Sequence, residues 1–209
     1  RVWSFFNHWQ KGFDRYLPWA LGKDANAEDM PLWIVPDRKL SVHDVEMCMR
    51  DHYEGTALAL DSTNVGGGVY QMPYRPTPLT YKVGGKEYFN ERPVSTQQTA
   101  FTFVSQLRSW LPNEIGGILW FGNDDANMVA YTPVYCGNTV QPECYNTPGA
   151  DAVTYSDKNA FWVCNWVSNM VYPRYSQLFP ELKAVRDSLD MSYFAAQKEI
   201  EAKAQVLYA

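Results

Sequence analysis

The sequence predicts an α+β protein with helices at both ends and an antiparallel sheet between them. The prediction depends on a capped amphipathic segment near residue 45, three β-rich runs in the middle and a long helical stripe at the end. We expect one unit over residues 1–209. Its parts are helical over 1–56, loop and hairpin over 57–93, strands over 94–137 and helical again over 156–209.

Aromatic residues at the start of the chain recur every three or four positions. They are Trp3, Phe6, Trp9, Phe13 and Tyr16. This spacing predicts an amphipathic helix that ends before Pro18.

Segment 41–56 predicts a second helix with a defined beginning and end. Ser41 and Asp44 have the spacing of a capping box. Gly55 stands where a left-handed cap would end the helix. One face would carry Val42, Val45, Met49 and Tyr53.

The central region predicts a hairpin followed by an antiparallel meander. The Gly84–Gly85 pair lies between two short alternating arms, which is typical of a hairpin turn. Three β-rich runs follow, at 99–107, 116–122 and 127–137. The second run is continuously apolar and is expected to be buried on both faces, and residues 123–127 form the turn after it.

Two further helices are predicted at the end of the chain. Ser156 would cap a helix over 157–172, whose apolar residues surround the whole helix and therefore indicate burial. Pro180 would open the last helix in its first turn. The apolar stripe of that helix comprises Leu182, Val185, Leu189, Ala196, Ile200 and Leu207.

Composition excludes several classes of partner. The net charge of −5 and the absence of a Lys/Arg cluster argue against nucleic acid and anionic membranes. No apolar run approaches the roughly 20 residues of a membrane-spanning helix. The chain begins at Arg1 without a signal peptide, which favours a segment of a longer protein over a mature protein whose leader was removed.

No pattern predicts a metal or a cofactor. His8, His43 and His52 do not have helical ligand spacing. Residues 123–127 resemble a fragment of a calcium loop but lack its glycine and distal Glu, so a turn is favoured. The triple glycine at 66–68 has no Lys-Ser/Thr after it, which argues against a phosphate site.

The four cysteines fall into two groups. Cys48 and Cys164 lie on predicted helices among apolar residues and are expected to be buried, inert thiols. Cys136 and Cys144 are eight positions apart around a turn, and we expect a disulfide between them, with two separate thiols as the alternative. A disulfide would imply a periplasmic, cell-surface or secreted protein.

The most polar stretch before the sheet is 91–99. It contains the candidate site residues Arg92, Ser95, Gln97 and Gln98. Strand alternation would place Ser95 and Gln97 on one face and Gln98 on the other. The segment is either an edge strand with a solvated face or a strand that lines a cleft for a polar substrate.

Four segments together resemble the C-terminal half of the dipeptidase-A-type cysteine peptidases of the N-terminal-nucleophile hydrolase superfamily. They are PDRKLSVHDVEMCMRDHYEGT (36–56), NERPVSTQQTAFTFVSQLRSWLP (90–112), GGILWFGNDDANMVAYTPVYCG (116–137) and WVSNMVYPRYSQLFPELKAVRDSLD (166–190). They occur in the family's order over most of the chain.

The resemblance implies a four-layer αββα fold and the hydrolysis of dipeptides by a cysteine at the mature N-terminus, whose α-amine is the base. This chain begins with Arg1, so the resemblance implies that the nucleophile lies in an absent N-terminal half and that the fragment alone is inactive. Superfamily relatives carry an Arg where this sequence has Gln97 and Gln98.

The resemblance also bears on partners. The expected ones are that N-terminal half, a dipeptide substrate and a further copy of the chain in a homo-oligomer. The alternative is a non-catalytic binding module for glycans or peptides, which would use the 8 Trp and 14 Tyr residues as stacking surfaces.

Overall fold

The computed structural model describes residues 1–61, 67–75, 78–89, 91–146 and 151–208. It confirms an α+β chain with antiparallel sheets and a long C-terminal helix. The residues form two compact units. The first unit comprises Arg1–Gly68 and Pro73–Ser95, and the second comprises Val69–Met72 and Thr96–Ala209. Gly66 of the triple glycine lies outside the described residues.

The N-terminal helix is shorter than the aromatic spacing predicted. Helix α1 spans Val2–Trp9, a 3₁₀ turn spans Phe13–Tyr16, and α2 spans Leu17–Ala20. Gly12 interrupts the pattern with φ of +72°, a left-handed conformation that glycine adopts without steric cost. Pro18 does not end a helix; it lies in the first turn of α2, where its missing N–H is tolerated.

These short helices form the core of the first unit. Trp3, Phe13 and Tyr16 are buried together. The rings of Phe6 and Phe13 meet edge to face at 5.4 Å. The predicted aromatic face therefore forms a core, although three helical pieces supply it.

Helix α3 spans Val42–Met49, and the predicted capping box is confirmed. The Asp44 amide donates to Ser41 Oγ at 3.2 Å, and the Ser41 amide donates to Asp44 Oδ2 at 2.8 Å. The helix ends earlier than predicted, since Gly55, although left-handed with φ of +73°, lies in the turn beyond it. Residues 50–54, which the prediction placed in the helix, therefore lie beyond its end.

The predicted hairpin is confirmed in the first unit. Strands β1 (Thr80–Val83) and β2 (Lys86–Phe89) pair antiparallel. Gly84 and Gly85 form the turn with φ of +57° and +79°.

The second unit contains the predicted meander in the order β3-β4-β5. The strands are β3 (Phe101–Leu107), β4 (Gly117–Asn123) and β5 (Thr132–Tyr135), and the short helix α4 (Asn113–Gly116) precedes β4. Strand β5 is shorter than predicted. Burial alternates along β4, so it is not equally buried on both faces.

The two faces of this sheet differ in their cover. On one face, Trp120 is fully buried and its ring lies 4.6 Å from that of Phe194 on the C-terminal helix. On the other face, Phe101 is 56% exposed and Phe103 is 48% exposed. We call this second side of β3 the open sheet face; it carries Phe101, Phe103, Ser105 and Leu107.

Helix α5 spans Ala160–Val171 and corrects two predictions. Asn159, not Ser156, caps it, with its Oδ1 accepting from the Trp162 amide at 3.4 Å. The helix is not buried all round, since Trp166 is 59% exposed and Ser168 faces inward. The described chain covers only part of its apolar surface.

Helix α6 spans Tyr175–Tyr208 and begins five residues before Pro180, which lies inside it. Its inward side includes buried charged residues as well as Phe194: Arg186 and Asp190 are buried, whereas Val185 of the predicted stripe is 63% exposed. The Asp190 carboxylate accepts from the Tyr131 amide at 3.0 Å, and the Arg186 guanidinium donates to the Asn127 carbonyl. The 123–131 connection has backbone groups that need partners, and these two side chains supply them.

No helix within the described ranges combines the length and apolarity that a membrane crossing needs.

Candidate functional site

The charged residues that follow α3 are buried in the first unit. Arg50, Asp51, His52 and Tyr53 all have almost no exposed surface, and we call them the RDHY segment. Tyr53 has a φ of +67°, an uncommon conformation for an aromatic residue. Buried charge and an unusual backbone conformation both carry a free-energy cost, and both are concentrated at functional sites. The segment is therefore the first candidate for a site.

Asp51 is the centre of the hydrogen bonds in this segment. Ser4 Oγ donates to Asp51 Oδ2, and His8 Nε2 lies 3.3 Å from Asp51 Oδ1. The Tyr53 amide donates to the same Oδ1 at 3.1 Å. Although burial alone would raise the pKa of Asp51, the hydrogen bonds from His8 and Ser4 hold it below its usual value. The hydrogen bond to Asp51 in turn raises the pKa of His8.

This arrangement is not a nucleophilic triad. In such a triad the histidine accepts the serine proton and the carboxylate holds the histidine. Here Ser4 and His8 both bind the Asp51 carboxylate, so the Ser4 hydroxyl donates to a weakly basic carboxylate and not to the imidazole. The three side chains position α1 against the RDHY segment.

Two of the four predicted site residues contact the RDHY segment. Tyr53 Oη donates to the Arg92 carbonyl at 2.7 Å. The Ser95 amide donates to the Asp51 carbonyl at 3.1 Å, and Ser95 is itself buried. Residues 92 and 95 thus belong to the candidate site, although their backbone atoms make these contacts.

The other two, Gln97 and Gln98, belong to the second unit. The strand alternation predicted over 95–99 is wrong, because this stretch turns: the Thr99 amide donates to the Thr96 carbonyl at 3.0 Å. Gln98 is exposed and accepts a hydrogen bond from Thr96 Oγ1. The two glutamines therefore do not form a cleft-lining strand with Ser95.

A cavity of about 680 Å³ lies beside the RDHY segment, within the first unit. Three arginines line it, Arg1, Arg75 and Arg92, together with one acidic residue, Glu91. We call it the charged cavity. Its other walls are Val2, Trp3, Trp19, Ala20, Met30, Tyr53, Leu58 and Phe89. Burial raises the pKa of Tyr53 to about 12, and the neighbouring Glu91 charge adds to this, so the phenol stays protonated.

All four cysteines are free thiols. Cys136 and Cys144 are both exposed and are not bonded to each other, so the structure does not contain the predicted disulfide. The Cys136 amide is hydrogen-bonded to Gly117 at the sheet edge, whereas Cys144 lies in a 3₁₀ turn that packs on α5.

The other two cysteines have raised thiol pKa values, so they are weaker acids than an ordinary cysteine. Cys48 is buried, as expected, and its Sγ accepts from Trp9 Nε1 at 2.9 Å. Burial raises the pKa of Cys48 to about 11, and that of Cys164 to the same value. Cys164, which was expected to be buried, is only partly so.

The second unit has a buried acidic pair. Burial raises the pKa of Asp124 to about 6, although the Asp125 amide donates to its Oδ1 at 2.7 Å. Tyr172 Oη donates to Asp125 Oδ2 at 3.2 Å. Within the described ranges, no group of three or more His, Cys, Asp or Glu side chains is arranged to hold a metal ion.

Comparison with known sequences gives the family. Residues 1–188 match the sequence pattern of peptidase family C69, which is nine tenths of the chain. The chain belongs to peptidase family C69. Its resemblance to the dipeptidase-A-type peptidases is thereby confirmed.

Individual proteins that are similar to this chain are described as probable dipeptidases. A probable dipeptidase of Latilactobacillus sakei is 24% identical over 77% of this chain and 29% of its own length. A probable dipeptidase B of Streptococcus pyogenes serotype M1 is 25% identical over 85% of this chain and 34% of its own. A probable dipeptidase B of Lactococcus lactis subsp. lactis is 23% identical, covering 86% and 32%. The chain thus spans about a third of the length of these relatives.

Sequence reasoning missed Asp51, His8 and Tyr53. One signal was available for them: four consecutive polar or aromatic residues, RDHY, follow an amphipathic helix where a simple exposed turn would suffice. The contacts of His8 and Ser4 with Asp51 could not be predicted, because they join residues more than 40 positions apart.

Proposed function

We propose that this chain is part of a dipeptidase that cleaves the peptide bond of dipeptides with an N-terminal cysteine nucleophile, and that this nucleophile is not among the 209 residues. The match of residues 1–188 to peptidase family C69 carries the proposal. The relatives described as probable dipeptidases support the choice of substrate.

The proposed chemistry requires a cysteine with a free α-amine. The amine accepts the thiol proton as sulfur attacks the peptide carbonyl, and then gives it to the departing amine. Water hydrolyses the resulting thioester and restores the thiol. Cys48, Cys136, Cys144 and Cys164 are internal residues whose nitrogens are peptide amides, which cannot accept that proton.

The acidity of two of these thiols supports the same conclusion. A catalytic cysteine needs a depressed pKa, because the thiolate is the nucleophile. Cys48 and Cys164 instead have pKa values raised to about 11 by burial. Neither is prepared for attack at neutral pH.

The fold proposed for the complete protein is the four-layer αββα arrangement. The open sheet face supports it: Phe101 and Phe103 lie exposed on a sheet whose opposite face is covered by α6. A second sheet, supplied by the rest of the protein, would cover these rings. The N-terminal half of the same protein is thus the proposed partner.

Activity measurements test the proposal. The 209-residue chain and the complete product of its gene are assayed with a panel of dipeptides, with free amino acids as the readout. We expect turnover only by the complete protein, with loss of turnover when its N-terminal cysteine is changed to Ala. Turnover by the 209-residue chain that is abolished by Cys48→Ala or Cys164→Ala would contradict the proposal.

A further inference from the structure

We infer that the charged cavity of the first unit binds the two charged ends of a short peptide, with Arg75 and Arg92 holding the carboxylate and Glu91 holding the ammonium group. The choice of a peptide as the ligand rests on the proposed function. The charges, size and walls of the cavity come from the structure alone.

The charges of the cavity suit a zwitterion. Arg1, Arg75 and Arg92 are the basic residues of its lining, and Glu91 is the acidic one. The Glu91 carboxylate accepts from the Arg92 amide at 3.0 Å. A guanidinium can bind a carboxylate through two parallel hydrogen bonds, which makes arginine the preferred side chain for this ligand. A site for a polyanion would not need the carboxylate of Glu91, whereas a site for a free peptide needs both signs.

The size of the cavity suits a small ligand. Its volume of about 680 Å³ lies within the roughly 300–1,000 Å³ that is typical of small-molecule sites. A dipeptide fits inside such a volume, but a folded protein segment with its own core does not.

The uncharged walls suit amino-acid side chains. Trp3, Trp19, Phe89 and Leu58 present aromatic and aliphatic surface beside the charged groups. Apolar walls with a few polar groups are the usual composition of a ligand pocket, because the walls supply affinity and the polar groups fix orientation. Aromatic walls also accept side chains of different shapes.

The position of Arg92 is fixed before any ligand arrives. Its carbonyl accepts from Tyr53 Oη at 2.7 Å and from Arg1 Nε at 3.4 Å. Tyr53 belongs to the RDHY segment, whose Asp51 carbonyl holds the Ser95 amide. The buried hydrogen bonds of that segment therefore hold the backbone that carries Arg92 and Glu91, which lowers the cost of ordering the site on binding.

Binding to the 209-residue chain tests the inference without any turnover. The probes are glycyl-L-leucine, its C-terminal amide and its N-acetyl derivative, titrated by calorimetry and by tryptophan fluorescence, to which Trp3 and Trp19 of the cavity wall contribute. We expect glycyl-L-leucine to bind, and each derivative to bind about tenfold more weakly because one charged contact is lost.

Variants assign the contacts. Arg75→Gln and Arg92→Gln should each weaken glycyl-L-leucine about tenfold and barely affect the amide, whereas Glu91→Gln should remove the discrimination against the N-acetyl derivative. Arg174→Gln, an exposed arginine of the second unit, is the matched control and should change nothing. Circular dichroism and the Tm verify folding, and Arg92→Lys retains the charge if Arg92→Gln does not fold.

The outcomes separate this inference from the proposed function. Absence of binding, equal affinity for the peptide and its amide, or unchanged affinity in both arginine variants would overturn the site. Each would leave dipeptide hydrolysis by the complete protein untouched. Conversely, a complete protein that binds glycyl-L-leucine here but hydrolyses no dipeptide would contradict the proposed function alone.

Discussion

The Tyr53 hydroxyl donates a hydrogen bond of 2.7 Å to the carbonyl oxygen of Arg92, 39 positions further along the chain. This bond joins the RDHY segment to the stretch that carries the charged groups of the cavity. It is made from a left-handed residue with a nearly inaccessible ring. The left-handed backbone at Tyr53 thus places its hydroxyl against the Arg92 carbonyl.

Removing that hydroxyl should destabilise the first unit. Tyr53→Phe removes the shorter of two hydrogen bonds to the Arg92 carbonyl and leaves the one from Arg1 Nε at 3.4 Å. We therefore expect the free energy of unfolding to fall by about 1–2 kcal/mol. Urea denaturation measures it. Tyr88→Phe, on the exposed hairpin, is the matched control and should change the value by less than about 0.5 kcal/mol. Equal effects of the two substitutions would show that the bond contributes nothing.

The pair His8 and Asp51 predicts a defined pH dependence. Because the hydrogen bond to Asp51 raises the pKa of His8, its stabilisation is complete below about pH 6.5 and is lost as pH rises through the raised value. Asp51→Asn should lower the pKa of His8, which NMR titration of the imidazole measures. Asp24→Asn, on an exposed turn, should leave it unchanged. An unaltered His8 titration in Asp51→Asn would contradict the contact.

Asp124 predicts a change in the same direction for the second unit, at lower pH. Its pKa of about 6 lies above the usual value near 3.9, so folding favours its protonated form and stability falls as pH rises from about 4 to above 6. Asp124→Asn keeps the acceptor for the Asp125 amide and suits the φ of +93°. At pH 7.5 it should stabilise the chain by up to about 3 kcal/mol.

Thermal or urea unfolding of Asp124→Asn between pH 4 and pH 7.5 provides the measurement. The advantage of the variant over the parent chain should grow across this range and be smallest at pH 4. A constant difference would mean that Asp124 does not titrate as the structure indicates.

The cysteines should differ in their reactivity. With an alkylating reagent at pH 8, exposed Cys136 and Cys144 should be labelled first, and Cys48 last, because it is buried and its pKa is about 11. Peptide mapping by mass spectrometry identifies the labelled sites. A Cys136–Cys144 disulfide in the non-reduced protein would restore the bridge that the sequence suggested.

The open sheet face should cause association. Exposed aromatic rings on a strand favour contact with another chain. We expect sedimentation velocity to show concentration-dependent self-association of the 209-residue chain, reduced by Phe103→Ser. Leu32→Ser, at an exposed loop position, should leave association unchanged. A monomer at all concentrations would indicate that this face needs no cover.

Local patterns predicted the elements of this fold well. The Ser41–Asp44 capping box, the Gly84–Gly85 turn and the meander depend on residues close in sequence, so composition and spacing identify them. The predictions that failed are those in which the folded chain departs from the local sequence pattern. Gly12 divides the first helix although the aromatic period continues through it, and residues 95–99 turn although their alternation suits a strand.

The candidate site was predictable only in part. Arg92 and Ser95 were selected because their segment is unusually polar, and both lie at the RDHY segment. Asp51 was missed because its partners Ser4 and His8 come from α1, and no periodicity links segments that distant in sequence.

The buried polar side chains of α6 fix the position of the helix along its axis. An apolar stripe can slide by one turn and exchange one aliphatic neighbour for another, but the bonds from Arg186 to the Asn127 carbonyl and from the Tyr131 amide to Asp190 can form in one register alone. The exposed members of the stripe, Val185, Leu189 and Ile200, contribute less to holding the helix in place. Substitutions along the stripe should alter solubility, while Arg186→Lys, a smaller chemical change, should shift or loosen the whole helix.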